Sequence, residues 1–416
     1  MHVLGQTRKE AGVALANCRT MVKWLLLGML VGLVVGAAGS LFAHVLSWVN
    51  GFRSGHSWVI LLLPLGGLLI VALYRGAKNT ADKGTNTVLS AVMGDVELSW
   101  KTAPLIFVST AITHLCGGSA GREGAALQLG GSLATVLAKP FRLQAEDRRI
   151  MVMCGMSAGF SALFGTPLAA AVFSLEVAWV GVMQYAALLP CATAAIMANL
   201  IAKFFQVPPE VFLLAELPAM TVGGFGKVVV LAAAAAGISV CFCHLMHSAE
   251  HLYQKYLKNP YLRITVAGCL VVLLTAALQS DDYLGSGMGI IEHIFHEGET
   301  RPLAFLLKML FTAVTLSAGF KGGEIVPSFT IGAAFGCAVA SLLGLPAELA
   351  AACGMAALFC GVTNAPVTSI LISFELFGFA GMPYYLTAVA VAFFLSGSCS
   401  LYHTQRQLPD KKLRLY

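Results

Sequence analysis

Apolar positions run through this chain in blocks too long for a water-soluble core. Segments 24–48, 58–74, 228–245 and 382–401 are almost free of charge, and each meets the roughly 17–25 residues needed to span a bilayer as a helix. Between them lie shorter apolar segments punctuated by glycine or proline, such as 87–93, 125–138 and Pro366–Phe377. Broken helices are tolerated at membrane depth only where their free backbone groups face protein or a polar cavity. The pattern predicts an all-α polytopic membrane protein whose broken, tilted helices build a site inside the bilayer.

Composition agrees, with 58% hydrophobic and 11% charged residues against about 25% charged in soluble domains. The formal net charge of +6 gathers at segment ends and does not mark a nucleic-acid partner. Arg8, Lys9, Arg19 and Lys23 precede the first apolar run, and Arg406, Lys411, Lys412 and Arg414 close the chain. By the positive-inside rule both termini are expected in the cytoplasm, against anionic lipid of the cell's inner (plasma) membrane. The first apolar run is too long for a signal peptide and has no small-residue cleavage site after it, so it is expected to be a retained anchor. The eleven cysteines include no Cys-x-x-Cys pair and read as small hydrophobes rather than disulfides or metal ligands.

The chain also repeats itself. Cys154 through Pro167 to Glu176 matches Cys353 through Pro366 to Glu375 without a gap, 199 residues apart, with proline and glutamate at the same offsets. Charge sets the orientation. The first long helix, about 24–50, follows a basic segment, whereas its counterpart, about 222–254, precedes Lys255, Lys258 and Arg263. The two therefore run in opposite directions, as in an inverted-topology repeat that binds substrate near the midplane. The expected division is a cytoplasmic segment 1–22, half-repeats 23–205 and 206–400, and a C-terminal helix and tail 401–416. Glu176 and Glu375 are expected to cap or pin helices rather than carry protons.

The candidate chemistry lies where glycines open two helices. Gly117-Gly118-Ser119-Ala120-Gly121-Arg122-Glu123-Gly124 precedes a helix-compatible run, and Ser317-Ala318-Gly319-Phe320-Lys321-Gly322-Gly323-Glu324-Ile325-Val326-Pro327 does the same in the second half. Unshielded N–H groups and the positive end of a helix dipole favour an anion. A charged side chain here costs about 2.5–3.5 kcal/mol on insertion scales, so Glu123 needs a reason. As a carboxylate it mimics the anion, and protonated it vacates the site, which couples proton to anion. The plainer alternative is an Arg122–Glu123 ion pair of structural use.

These motifs make the chain resemble the CLC family of anion channels and proton-coupled antiporters. Gly-Arg-Glu-Gly at 121–124 is similar to its gating-glutamate motif, and Gly323-Glu324-Ile325-Val326-Pro327 to its Gly-x-x-x-Pro motif. Leu401-Tyr402 stands where the family begins a final short helix with an anion-binding tyrosine. The resemblance implies a homodimer with one pathway per subunit and no cofactor. The family's paired cytoplasmic nucleotide-binding domains are expected to be lacking after Tyr402.

The departures carry information too. Chloride-selective members read Gly-Ser-Gly-Ile-Pro where this chain reads Gly84-Thr85-Asn86-Thr87-Val88. Ala125 replaces a proline, Glu324 takes an apolar position, and Val177 stands where chloride antiporters keep an inner glutamate. Such changes resemble the fluoride-exporting branch of the family. The resemblance then implies a fluoride/proton antiporter, with Thr85, Asn86, Gly121, Arg122, Gly124, Ile325, Val326 and Tyr402 around the anion and Glu123 and Glu324 handling gating and protons. A Lys321–Glu324 pair that only shapes the loop is the alternative for Glu324, and a chloride or nitrate transporter is the alternative substrate reading. His244, His247 and His251 fall at i, i+3 and i+7 beside Cys243. They allow a different class, a metal-binding membrane enzyme or carrier. That chemistry lacks its usual His-Glu-x-x-His signature, so neither a metal nor an enzyme is expected.

Overall fold

The computed structural model describes residues 2–214 and 217–407, with side chains from Val13 onward. Arg8 and Lys9 in the basic N-terminal segment and Lys411, Lys412 and Arg414 in the tail lie outside the described side chains.

Among the described residues sixteen α-helices follow one another in two series. The first holds α1 (His2–Ser54), α2 (Leu63–Gly76), α3 (Thr85–Met93), α4 (Thr102–Leu115), α5 (Glu123–Ala138), α6 (Ala145–Phe164), α7 (Pro167–Glu176) and α8 (Leu188–Phe204). The second holds α9 (Val222–Tyr256), α10 (Pro260–Leu278), α11 (Met288–Glu297), α12 (Ala304–Ser317), α13 (Ile325–Leu343), α14 (Ala347–Thr363), α15 (Pro366–Phe377) and α16 (Met382–Leu395). Each helix of the first series has its counterpart in order in the second. Six helical stretches are long and apolar enough to cross a membrane. Apolar side chains such as Trp48, Val222 and Leu342 are left exposed around the outside, as a lipid-facing surface requires.

The two series are inverted. Lys23, where the apolar part of α1 begins, pairs with Asp147 at the start of α6, and Arg406 pairs with Asp95 on the same face. Glu250, near the end of α9, meets His403 there as well. Thus the apolar part of α1 begins at the face where α9 ends. Paired glycines let the inner helices touch: a side-chain carbon on Gly155 of α6 would stand 2.2 Å from the Gly130 carbonyl of α5, and one on Gly354 of α14 would stand 2.2 Å from the Gly332 carbonyl of α13. Small residues at such crossings let backbones approach where apolar burial gives little drive.

The paired glutamates of the repeat lock the halves together. Glu176, at the end of α7, accepts the N–H groups of Val367 and Thr368 at 3.0 and 2.8 Å and the Thr368 hydroxyl at 2.6 Å, at the start of α15. Glu375, at the end of α15, accepts the N–H groups of Leu168 and Ala169 at 3.0 and 2.8 Å, at the start of α7. Proline at the first position of each helix supplies no N–H, so each carboxylate takes the next two donors, which the helix itself leaves unpaired. Both glutamates pin helices.

Two sequence expectations need correction. The apolar run 382–401 does not continue as one span, because α16 ends at Leu395 and Gly397 adopts a left-handed φ of 61°. Nor does a helix begin at Leu401-Tyr402. Within the described residues the chain turns there and then runs as a short strand, Arg406–Gln407, paired in parallel with Trp179–Val180. The backbone N–H of Leu401 is already given to the Val362 carbonyl at the end of α14.

Candidate functional site

Three helices start inside the protein rather than at its surface. At ~1.5 Å per residue, the 16 residues of α5 fall short of the ~30 Å hydrocarbon core, so one end must lie within it. That end meets the start of α13. Gly121 and Gly323 exchange backbone hydrogen bonds, 2.6 Å from Gly121 N to Gly323 O and 2.7 Å in return. The close approach demands glycine: a side-chain carbon on Gly323 would stand 2.5 Å from the Gly124 nitrogen. The third start is that of α3, where Gly84 holds a φ of 69°. None of the three starts has a side-chain cap on its N-cap residue, so unpaired N–H groups and three positive dipole ends converge.

Glu123 is 1% exposed and folds back over the start of its own helix. Its Oε2 accepts the Arg122 N–H at 3.0 Å, and Oε1 lies 3.5 Å from Arg122 Nε. The Arg122 guanidinium also pairs with Glu210 in the loop after α8. Burial pushes the Glu210 carboxyl up from its ordinary range, and Arg122 opposes that shift. Arg122 therefore offers its backbone N–H to the pocket while its side chain ties Glu123 to Glu210. The ion pair and the folded-back carboxylate occur together.

Glu324 approaches from the opposite half. A side-chain carbon on Gly124 would stand 2.9 Å from Thr85 Oγ1, 3.0 Å from the Gly323 Cα and 3.3 Å from Glu324 Oε2, so these groups meet over the first turn of α5. Lys321 does not pair with Glu324. Its ammonium sits 4.3 Å from the centre of the Tyr74 ring, so the loop-shaping ion pair does not form. The Tyr402 side chain is within electrostatic reach of both Glu324 and Glu123. It is 2% exposed, and its hydroxyl has no hydrogen-bond partner. The Thr85 hydroxyl lies beside Glu324 without a well-formed hydrogen bond. Buried polar groups left unpaired cost about 1–3 kcal/mol each, and two beside two carboxylates mark a place built for a polar guest. Ile325 and Val326 form the uncapped first turn of α13.

Asn86 is held from the far end of the chain. Its Oδ1 accepts from the Thr404 N–H and hydroxyl, each at 3.2 Å, so the amide fastens α3 to the segment carrying Tyr402. The partner lies 318 residues away.

Two residues belong here that sequence reasoning missed. Gln128 donates to the Gly124 carbonyl at 3.0 Å, while its own buried Oε1 has no partner. Lys308 of α12 is fully buried and donates to Ser119 Oγ at 2.9 Å and to the carbonyls of Tyr283 and Gly285 at 3.1 and 2.8 Å. It thereby ties the loop before α5 to the loop before α11. The available signal was the single amide of α5 and the single charged side chain of α12.

A cavity of about 680 Å³ leads to this meeting point from the face where α9 ends. Thr85, Asn86, Gln128 and Glu324 line its inner end, and His247, Glu250 and His403 stand along its wall. The histidine trio on α9 does not assemble as ligands. Among the described residues no group of three or more His, Cys, Asp or Glu side chains could hold a metal, and His247 stacks on His403 instead.

Known proteins are similar to this chain in sequence and fold. A chloride/fluoride channel protein of Pseudomonas syringae pv. tomato is 37% identical over 398 residues, spanning 93% of this chain and 87% of the relative. A solved structure of a CLC-type fluoride/proton antiporter superposes with a TM-score of 0.90 at 33% identity, covering 93% of this chain and 98% of that one. A slow cyanobacterial Cl⁻/H⁺ antiporter, at 20% identity, shares the fold with a TM-score of 0.77 and covers 90% of this chain and 94% of its own. Residues 66–397 match the voltage gated chloride channel family, and the chain belongs to that family, the CLC anion channels and antiporters.

Proposed function

We propose that this protein is a fluoride/proton antiporter that exports fluoride from the cell. The observation that carries this reading is the pair of carboxylates, Glu123 folded onto the N–H groups of its own helix start and Glu324 facing the same turn from the other half. The likeness to a CLC-type fluoride/proton antiporter supports it.

Ionised Glu123 occupies the donors that an anion would use, which closes the outer side. A proton arriving past Glu210 and Arg122 neutralises the carboxyl, removes its attraction for those donors and frees them for fluoride. Fluoride is small and holds its water tightly, so dehydration must be offset by short, strong donors. Here these are the first-turn N–H groups of α5, α13 and α3, the Thr85 and Tyr402 hydroxyls, and the positive dipole ends behind them. Glu324 takes the proton onward to the cavity. Anion and proton thereby move in opposite directions through one meeting point. The cavity face is the cytoplasmic one, where Lys23, Lys139, Arg142, Arg149 and Arg406 gather, so both termini lie in the cytoplasm and the bilayer is the inner (plasma) membrane. The working unit is a homodimer with one pathway per subunit, transporting rather than catalysing.

A chloride or nitrate substrate is the second reading. It is favoured by one feature, the buried and unpartnered Thr85 hydroxyl, which keeps an O–H at the position of the chloride-binding serine. Parallel fluoride and chloride efflux from proteoliposomes separates the two. Fluoride is expected to outrun chloride by a wide margin, and Thr85→Ser to narrow it; equal fluxes in the native protein would promote the chloride reading.

A further inference from the structure

The wall of the cytoplasmic cavity carries a second group of titratable side chains that the exchange scheme above does not use. His247 and Glu250 stand one turn apart on α9, and His403 comes from the segment after α16. The rings of His247 and His403 lie 3.9 Å apart, tilted by 32°. His403 Nε2 stands 3.4 Å from Glu250 Oε2. His247 Nε2 is buried without a hydrogen-bond partner, and the ring lies close to the Leu401 carbonyl, one residue before Tyr402. The other charged or titratable groups around them are His244 on the same helix, 3.8 Å from the Cys399 sulfur, and Arg263 of α10 beside Glu250. Across the cavity stand Arg75, Asp82, Lys83 and Lys321.

Two imidazoles stacked this closely do not both carry a positive charge easily, because each repels the other's proton. The carboxylate of Glu250 favours the first proton and does little for a second. The cluster is therefore built to hold one added proton and not two. The neighbouring carboxylate is poorly placed for the task, since Asp82 is held by the Gly84 N–H at 2.8 Å.

We propose that His247, His403 and Glu250 form the cytoplasmic proton acceptor of the exchange cycle. Glu324 gives up its carboxyl proton to water in the cavity. The free nitrogen lone pair of the histidine pair takes that proton as imidazolium and passes it to bulk water. Glu324 returns to carboxylate and the pair to neutral imidazole, so the cycle closes with no other reactant. The inference rests on the fluoride/proton reading above.

The test uses the full chain in liposomes, with the pH on the cavity side varied while the other side is fixed. Fluoride-driven proton movement in the native protein should rise through a single inflection as the pH is raised and the acceptor becomes deprotonated. The double variant His247→Gln with His403→Gln should lose that inflection and slow proton movement about tenfold, with calorimetric fluoride affinity kept. Glu250→Gln is the gentler variant. It removes the charge that favours imidazolium, so the inflection should move about one pH unit lower, a displacement that a merely structural contact would not produce. A coupled exchanger whose cavity-side pH profile is the same in native, Glu250→Gln and double-variant proteins would overturn the inference alone. A native protein that moves fluoride with no protons would overturn it together with the exchange reading.

Discussion

Gly121 and Gly323 each give the other a backbone N–H and a carbonyl, and this reciprocal pair fixes the distance between the two inner helix starts. The consequence reaches past the two glycines. Because their own N–H groups are spent on each other, on the proposed reading an anion would use the donors that follow, Arg122 and Glu123 on one side and Ile325 and Val326, beyond Glu324, on the other. The Arg122 N–H already faces a carboxylate oxygen. A bound anion and the Glu123 side chain therefore compete for the same atoms, which is what coupling between them requires.

Glu123→Gln is expected to abolish proton coupling with the fold intact, since the amide nearly keeps the size but neither releases a proton nor competes as an anion. Glu324→Gln is expected to stop fluoride-driven proton movement while yield and dimer profile stay normal. Proton uptake into liposomes checks both. Full coupling in either well-folded variant removes that residue from the proton path.

Tyr402→Phe is expected to weaken fluoride binding by about 1.5–3 kcal/mol, the range for a hydrogen bond to a charged group. The lost hydroxyl has no protein partner, so its removal leaves no orphan and thermal stability should hold. Isothermal titration beside a melting curve reads the two effects separately. An unchanged affinity would place Tyr402 outside the site.

Glu176→Ala is expected to destabilise the protein more than Glu375→Ala. The first strips three acceptor contacts from a residue only 5% exposed, while the second strips two, one of them from the exposed Leu168. Each orphaned buried N–H costs about 1–3 kcal/mol. Detergent melting temperatures should fall in that order, and the reverse order would contradict the capping account.

Lys308→Met keeps the aliphatic stem and removes the ammonium. The Tyr283 carbonyl then loses its donor, while the Gly285 carbonyl keeps the Ala120 N–H and Ser119 Oγ keeps Thr312 Oγ1. Stability is expected to drop by about 1–3 kcal/mol, with fluoride affinity reduced because Ser119 sits in the loop that presents Gly121. A variant as stable as the native protein would show that Lys308 does not hold that loop.

Much of this was legible in the sequence, and for identifiable reasons. The short segments 87–93, 125–138 and Pro366–Phe377 correspond to α3, α5 and α15, because glycine and proline punctuate helices through local sterics that any reader of the chain can apply. Charge alone indicated that α1 and α9 oppose each other. The sequence shows Glu176 and Glu375 as helix-pinning residues but not their partners, since each caps a helix in the other half. The Asn86 oxygen is held by Thr404 from the far end of the chain, a contact that spacing along the sequence does not reveal. Gln128 and Lys308 were passed over because one polar residue in an apolar helix does not announce what it meets. The helix expected from Leu401 failed for a similar reason: a long-range hydrogen bond to Val362 and the pairing with Trp179–Val180 hold that segment extended.

The most direct test of the account is whether a fluoride gradient alone drives protons uphill. Native protein in liposomes, given an outward fluoride gradient and no pH gradient or voltage, should carry protons inward against the gradient that builds, and the same gradient of chloride should carry few. Fluoride leaving with no proton movement would contradict it.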